Sequence, residues 1–280
     1  MERYDVLIVG GGAAGIAAAK ALWTAGCRSL ALVEERTALG GILLQCVHPG
    51  FGDGLDGRAY AAQLLSDFPS EIPCFSGVTV TALRTDRTAL LSDGRNVAFQ
   101  VLILCAGCRE IPFGALPVTG TRPRGVYTAG QMQDMINCRG HVPEGPAVIL
   151  GSGDVGLVMA WQLLTLGLSV TLVEQADHMT GLAQNQARLA GLPLAFLPGV
   201  TVREIAGFPH IEAVVLSDGR TLPCRTLLSA VGLRPERELL PGDLPDWAVL
   251  AGNCRRIHPR IESVLKEGNE AAARAMALLC

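Results

Sequence analysis

Three kinds of residue in this chain have types and spacings that can do chemistry. The first is glycine. Gly10, Gly12 and Gly15 stand at G-x-G-x-x-G spacing, and Gly151, Gly153 and Gly156 repeat it. The second is a carboxylate at a matched distance: Glu34 lies 19 residues after Gly15, and Glu174 lies 18 after Gly156. The third is a scatter of thiols and imidazoles: Cys46 with His48, the pair Cys105 and Cys108, and Cys138 with His141.

The glycines and acids point to a dinucleotide. The first glycine allows a tight strand-to-helix turn, the second leaves the backbone open to a pyrophosphate, and the third lets helix and strand pack closely. Ala13 and Ala14, and Asp154 and Val155, then begin helices whose first N–H groups and positive dipole end face the phosphates. Glu34 and Glu174 each end an apolar run, Leu30–Val33 and Ser169–Val173, where a carboxylate accepts the hydroxyls of an adenosine ribose. One such motif is weak evidence. Two complete strand–glycine–helix–strand–glutamate units imply two bound dinucleotides.

The thiols are less informative. Cys105, Cys108, Cys138 and His141 match a zinc site loosely, but Cys105 belongs to an apolar strand and there is no second C-x-x-C. No metal is expected. A redox role for Cys105 and Cys108 needs a helix N-terminus to lower a thiol pKa, and Arg109-Glu110-Ile111-Pro112 is not a helix start.

The elements that must hold these residues are legible. Asp5–Val9 and Ala147–Leu150 are strands that feed the two glycine turns. Arg58–Asp67 reads as an amphipathic helix; Val78–Leu83, Thr88–Ser92 and Asn96–Phe99 read as short strands, followed by a buried strand, Gln100–Cys105. Pro112, Pro117 and Pro123 mark a crossing between domains. Val155–Val173 has no charged residue over 19 positions, but Gly167 divides it into a buried helix, Asp154–Leu166, and a buried strand. A length of 280 residues suggests two domains. With a net charge of −3 and no basic run, a nucleic-acid partner is not expected. The first strand starts by residue 5, ahead of which a signal peptide has no room, and nine irregularly spaced cysteines do not form a secreted framework. Both point to the cytoplasm.

At this point the sequence resembles the two-dinucleotide flavoproteins of the pyridine nucleotide–disulfide reductase class. Leu102–Gly107 is similar to the strand that ends beside FAD, with Ala106 and Gly107 at the cofactor. Ser229–Pro235 is similar to the segment closing the NAD domain, with Gly232 at the nucleotide. Val249–Asn253 resembles the final A-G-D segment, which places Gly252 and Asn253 at FAD, with Asn for Asp. Gly40-Gly41 with Gln45-Cys46-Val47-His48, and Gly151-Ser152-Gly153-Asp154, are similar to a subgroup found beside anaerobic glycerol-3-phosphate dehydrogenases or as the FAD/NAD subunit of opine, proline and cyanide-forming dehydrogenases.

The resemblance implies an α/β fold of two Rossmann-like domains, the NAD domain inserted in the FAD domain. Residues 1–115 and 246–280 would bind FAD and 116–245 NAD(P)H. FAD would meet Gly10, Gly12, Ala13, Ala14, Gly15, Glu34, Gly41, Gln45, Ala106, Gly107, Gly252 and Asn253. NAD would meet Gly151, Gly153, Asp154, Val155, Gly156, Glu174 and Gly232. Only 16 residues separate Pro235 from Gly252, fewer than is usual in the family, and a single helix, about Ile261–Leu279, follows. Cys46 lies on the loop that in this family passes the flavin, where a charge-transfer thiolate or sulfenic acid competes with a plain packed thiol. His48 is either a proton donor near the flavin or a loop histidine capping the backbone.

The implied activity is an FAD-dependent oxidoreductase. Hydride passes from NAD(P)H to FAD and on to a small molecule or a partner protein, without a redox dithiol. No Arg follows Glu174 in Gln175-Ala176-Asp177-His178, so NADH is preferred over NADPH. Two alternatives remain. One is an FAD/NAD subunit of a multi-subunit amine, opine or hydroxy-acid dehydrogenase, working with a partner dehydrogenase or iron–sulfur subunit. The other is a flavin- or nucleotide-sensing module.

Overall fold

The computed structural model describes residues 1–240 and 242–280. They form two compact units: residues 1–109 with 234–280, and residues 110–233. The sequence boundaries at 115/116 and 245/246 lie somewhat later. The second unit is thus inserted in the chain of the first.

The first unit opens with β1 (Glu2–Val9), α1 (Ala13–Thr24) and β2 (Leu30–Glu34). It continues with α2 (Gly57–Leu65), β3 (Cys74–Ser76), β4 (Val80–Leu83), β5 (Thr88–Leu91) and β6 (Asn96–Leu104). The inserted unit carries β7 (Thr119–Gly120), β8 (Val126–Thr128), α3 (Ala129–Asn137), β9 (Ala147–Leu150), α4 (Asp154–Thr165) and β10 (Val170–Val173). After α5 (Ala183–Ala187) come β11 (Leu194–Leu197), β12 (Val202–Ala206), β13 (Ala213–Leu216), β14 (Thr221–Pro223) and β15 (Thr226–Ser229). The chain then returns to the first unit with β16 (Ala248–Leu250) and α6 (Ile261–Leu279).

The first unit is built on a sheet of order β3-β2-β1-β6-β5-β4, with β16 also beside β6. Its β3, β2, β1, β6 and β16 run parallel. Parallel strands must be covered on both faces, which is why β1, β2 and β6 read as continuous apolar runs. Leu7, Ile8, Leu32, Leu102, Ile103 and Leu104 are fully buried. The residues read as two strands, Asn96–Phe99 and Gln100–Cys105, form one strand that ends at Leu104. One edge pairs parallel with β1 from Val97 to Leu104, the other pairs antiparallel with β5 at its start (Thr88↔Ala98) and parallel with β16 at its end (Ala248↔Leu102), and no turn residue interrupts it.

The inserted unit pairs a parallel sheet of order β11-β10-β9-β15-β8 with a smaller sheet of order β14-β13-β12-β7. In both units the strand–helix–strand order places the glycine turn at the carboxyl end of a central parallel strand, where open α/β sheets bind ligands. The 19-residue uncharged stretch resolves into α4, Gly167 and β10. Among the described residues no helix is long and apolar enough to cross a membrane.

Candidate functional site

In the first unit the three glycines do separate jobs. Gly10 sits at φ +104°, and a β-carbon there would fall 2.7 Å from the Cys105 carbonyl carbon and 3.3 Å from the Ala106 nitrogen. Gly10 is therefore required by the backbone crossing over from β6. A β-carbon at Gly15 would overlap the Gly10 carbonyl oxygen, so Gly15 is required by the close packing of α1 on the turn. Gly12 is different: a β-carbon there would meet only the Gly41 α-carbon, at 3.9 Å. The chain's own packing therefore does not demand glycine at 12. Gly12 is also the N-cap of α1, with no side-chain cap among the described residues, so the first N–H groups of α1 are open to an anion.

The second unit repeats this pattern. A β-carbon at Gly151, φ +102°, would fall 2.6 Å from the Ala230 carbonyl oxygen. One at Gly156 would overlap the Gly151 carbonyl oxygen, and one at Gly153 would meet nothing within 4 Å. Gly153 is the N-cap of α4, again with no side-chain cap among the described residues.

Each glutamate is tied to its own glycine loop. Glu34, 5% exposed, accepts from the Gly11 N–H at 2.6 Å and the Arg36 N–H at 2.8 Å. Glu174 accepts from the Ser152 N–H and hydroxyl, both at 2.7 Å, and from the Ala176 N–H at 2.9 Å. Burial alone would raise the Glu174 pKa, but these donors outweigh it and hold the carboxyl below its ordinary value. Glu174 thus stays an ionised acceptor beside the second glycine loop.

Other expected residues join the first cradle. Gly41 (φ +55°) begins a short 3-10 turn, and a β-carbon there would fall 2.9 Å from the Gly12 α-carbon. Gly40 N–H donates to the Gly11 carbonyl at 2.8 Å, pinning this loop to the first glycine turn. A β-carbon at Gly252 would lie 2.9 Å from the Ala14 β-carbon, so the 252 turn abuts the first turn of α1. Ala13 and Ala14 are buried in that turn, and Gly107 follows Ala106 at φ +74° with open space around it. Asn253 Oδ1 accepts from the His258 N–H at 3.0 Å, and its Nδ2 points at the Cys108 sulfur, 3.7 Å away. Gln45 is buried, and with its amide oriented to satisfy its neighbours it accepts from both Arg36 Nη atoms, at 2.5 and 3.1 Å.

Cys46 is buried; its thiol donates to the Ile42 carbonyl at 3.4 Å, and burial pushes its pKa up to about 12. That favours the packed thiol over the thiolate. The His48 ring packs against Phe51, with centroids 5.2 Å apart. Burial also drives Cys105 well above the ordinary thiol value. No disulfide joins any cysteine among the described residues.

In the second unit Val155, in the first turn of α4, is partly buried against the core. Gly232, at φ +152°, gives its carbonyl to the Ile111 N–H at 3.1 Å. Asp154 turns its carboxylate to the following segment, where Oδ1 accepts from the Leu182 N–H (2.7 Å) and Asn185 Nδ2 (2.8 Å). The Ser152 hydroxyl also accepts from the Thr180 N–H at 3.0 Å. Ser152, Thr180 and Asn185 escaped sequence reasoning; only the polar residue inside the second glycine motif could have flagged Ser152.

Glu267 was also missed. It is 4% exposed on α6 and accepts from the Gly252 N–H at 3.0 Å, Arg255 Nη1 at 2.9 Å and Arg256 Nε at 2.9 Å. His258 Nε2 lies 3.1 Å from Oε2, the oxygen that also takes the Gly252 N–H, while both arginines reach Oε1. Burial would raise its pKa, but His258 and the two arginines outweigh it and hold it lowered. The signal was present in the helix pattern: Glu267 falls in phase with the buried stripe Ala271–Ala275.

Two glycine cradles, each with a hydrogen-bonded glutamate at the adjoining strand end, define a protein with two Rossmann-like dinucleotide-binding units. The chain belongs to the pyridine nucleotide-disulphide oxidoreductase family, whose model matches residues 4–248. It is 30% identical over 246 residues to the ferredoxin reductase component of chlorobenzene dioxygenase from Cupriavidus sp. (strain PS12), covering 84% of this chain and 59% of that protein. It is 28% identical over 275 residues to an opine oxidase subunit from Agrobacterium tumefaciens (strain Ach5), covering 85% of this chain and 54% of the relative. The chain thus spans little more than half the length of these two relatives. In fold it is similar to T. acidophilum thioredoxin reductase, with a TM-score of 0.81 at 19% identity over 99% of both chains.

Proposed function

We propose that this protein is an FAD-dependent NAD(P)H oxidoreductase, with FAD on the first unit, residues 1–109 and 234–280, and NAD(P)H on the inserted one, residues 110–233. The observation that carries the proposal is the pair Gly12 and Gly153. Each is the one glycine of its motif that the chain's own packing leaves unexplained, and each lies at an uncapped helix N-terminus. A pyrophosphate explains both.

The residues present fit the two cofactors. The α1 and α4 N-termini would hold the pyrophosphates, and Glu34 and Glu174 would accept ribose hydroxyls. The 41 and 252 turns would close the FAD side. Bound there, FAD supplies the capacity to take hydride from NADH and release electrons onward. Glu174, followed by no Arg up to residue 178, favours a 2′-hydroxyl and hence NADH, with NADPH the poorer donor. The ferredoxin reductase component among the relatives supports a ferredoxin-type partner as acceptor, and a small-molecule acceptor fits the same chemistry. The likeness to the opine oxidase subunit favours a second reading, in which the chain is the FAD/NAD subunit of a larger dehydrogenase. Nine cysteines without a disulfide suit a reducing compartment, and we place the protein in the cytoplasm.

The test is anaerobic titration of the purified protein with NADH while the flavin absorbance is followed. Bleaching with about one equivalent is expected, followed by recovery on adding an acceptor. A protein that carries no flavin, or a flavin that NADH leaves oxidised, refutes the proposal.

A further inference from the structure

The first unit contains a buried ionic knot that the dinucleotide motifs do not account for. At its centre is Glu267, on the face of α6 that packs on α1. The next residue, Gly268, marks how close that packing is: a β-carbon there would overlap the Ala14 carbonyl oxygen and fall 2.9 Å from the Ala17 β-carbon. Glu267 therefore sits over the first turn of α1, the turn whose N–H groups face the phosphates.

Four groups from one short segment converge on its carboxylate: the Gly252 N–H, Arg255, Arg256 and His258. The segment is further braced by the His258 N–H on Asn253 and by Arg237 Nε on the Cys254 carbonyl at 2.7 Å. The turn is a short 3-10 helix, Gly252–Cys254, closed by the Arg255 N–H on the Gly252 carbonyl at 2.9 Å; these local bonds set its shape but not where it stands against α1. Gly252 is in the left-handed region at φ +69°, and the β-carbon it lacks would collide with Ala14. The turn is thus drawn in from one side by a carboxylate on α6 and stopped on the other by α1. An ionised carboxylate at 4% exposure is costly unless fully bonded, and here every bond goes to this turn.

We propose that Glu267 is a positioning residue of the first unit's cofactor site: it seats the Gly252–Asn253 turn against the first turn of α1. The proposal rests on the assignment of FAD to that unit. Glu267 touches no reacting atom; it sets where the turn stands, and the turn closes the cradle.

The experiment measures FAD affinity of the flavin-free protein by quenching of flavin fluorescence, for wild type, Glu267→Leu and Glu267→Gln. NADH affinity of the inserted unit is measured in parallel as the check on folding. Leu removes the acceptor for the Gly252 N–H, whereas Gln keeps an oxygen there and loses the charge and the second acceptor, the one that faces the two arginines. Arg255 and Arg256 have 44% and 68% of their side chains exposed, so both can turn to water in either variant. We expect Leu to weaken FAD binding by at least about tenfold, the scale of one lost charge-assisted hydrogen bond. We expect Gln to recover most of that loss, to within about threefold of wild type, with its visible flavin band displaced and NADH affinity unchanged. If Leu also loses NADH affinity it has lost its fold, and Gln decides alone by its FAD affinity and band position. Variants that bind FAD as wild type does, with an identical band, overturn the proposal; so does a Gln variant no better than a folded Leu variant. A wild type that takes up no FAD overturns instead the assignment on which the proposal rests.

Discussion

Gly12 and Gly15 are three residues apart on one turn, yet replacement by alanine should break different things. At Gly15 the new β-carbon overlaps the Gly10 carbonyl oxygen, a backbone atom held between β1 and α1. Helix or turn must shift, at the cost of overpacking a tight site, about 1–3 kcal/mol. For a protein of this size that lowers Tm by roughly 2–4 °C per kcal/mol, so a fall of about 2–12 °C is expected with or without cofactor. At Gly12 the β-carbon meets only the Gly41 α-carbon, at 3.9 Å, and the backbone is extended at φ −75°, ψ −172°. Gly→Ala there gains about 0.4–1 kcal/mol from the unfolded chain and loses a few tenths to about 1 kcal/mol at an N-cap position. The two nearly cancel, so the flavin-free Tm should move by no more than about 2 °C. The same methyl occupies the approach to the α1 N-terminus. Losing one charge-assisted hydrogen bond there costs about 1.5–3 kcal/mol, or about 10–100-fold in FAD affinity. Gly12→Val, which adds two more methyl groups, should purify colourless. The assay is scanning fluorimetry of the flavin-free proteins beside fluorescence titration with FAD. A Gly12→Ala protein that binds FAD like wild type, or one that loses as much stability as Gly15→Ala, would refute the division of roles.

Further outcomes follow from the same geometry. Glu174→Ala should narrow the NADH over NADPH preference by an amount on the order of 1.5–3 kcal/mol, read as kcat/KM for each nucleotide; equal rates in the unmutated protein would remove the role. Because the folded Glu174 pKa is lowered, its contribution to stability is complete above the ordinary carboxylate value, about 4.3, and is lost as pH falls through the lower folded value. The Tm gap between wild type and Glu174→Gln should therefore close below about pH 4, and a gap independent of pH would contradict this. Cys46, with its pKa pushed up to about 12, should resist iodoacetamide in the native protein at pH 8, and Cys46→Ser should keep NADH–dye turnover within about threefold; collapse of activity with FAD still bound would install a single-thiol mechanism. The protein should not reduce thioredoxin or glutathione disulfide, since the inserted unit has only Cys138, which is exposed, and Cys224, which is buried, and no adjacent dithiol; disulfide-dependent NADPH or NADH oxidation would sink this.

What the sequence determined by itself is local in the chain. In each unit the glycine turn, the helix after it and the glutamate at the next strand end lie within about 35 residues of each other, so spacing alone carries their geometry. The split of the uncharged stretch at Gly167 and the terminal helix Ile261–Leu279 were legible for the same reason: a breaker or a period is written in consecutive residues. What only the tertiary structure decided involves residues distant in sequence. That Gly10 is fixed by the Cys105 carbonyl, while Gly12 is fixed by nothing in the chain, depends on where β6 passes. The state of Cys46 depends on its burial, which no spacing reveals, and its pKa follows from that burial. Asn96–Leu104 is one strand because β1 pairs along it on one edge while β5 and then β16 take up the other edge in turn. Ser152 meets Thr180 across 28 residues, and Glu267 gathers a turn 9 to 15 residues upstream of it onto a helix face that reads as plain amphipathic packing. A carboxylate in an apolar stripe is a visible anomaly in the sequence; which partners make it stable is settled only when the chain has folded around it.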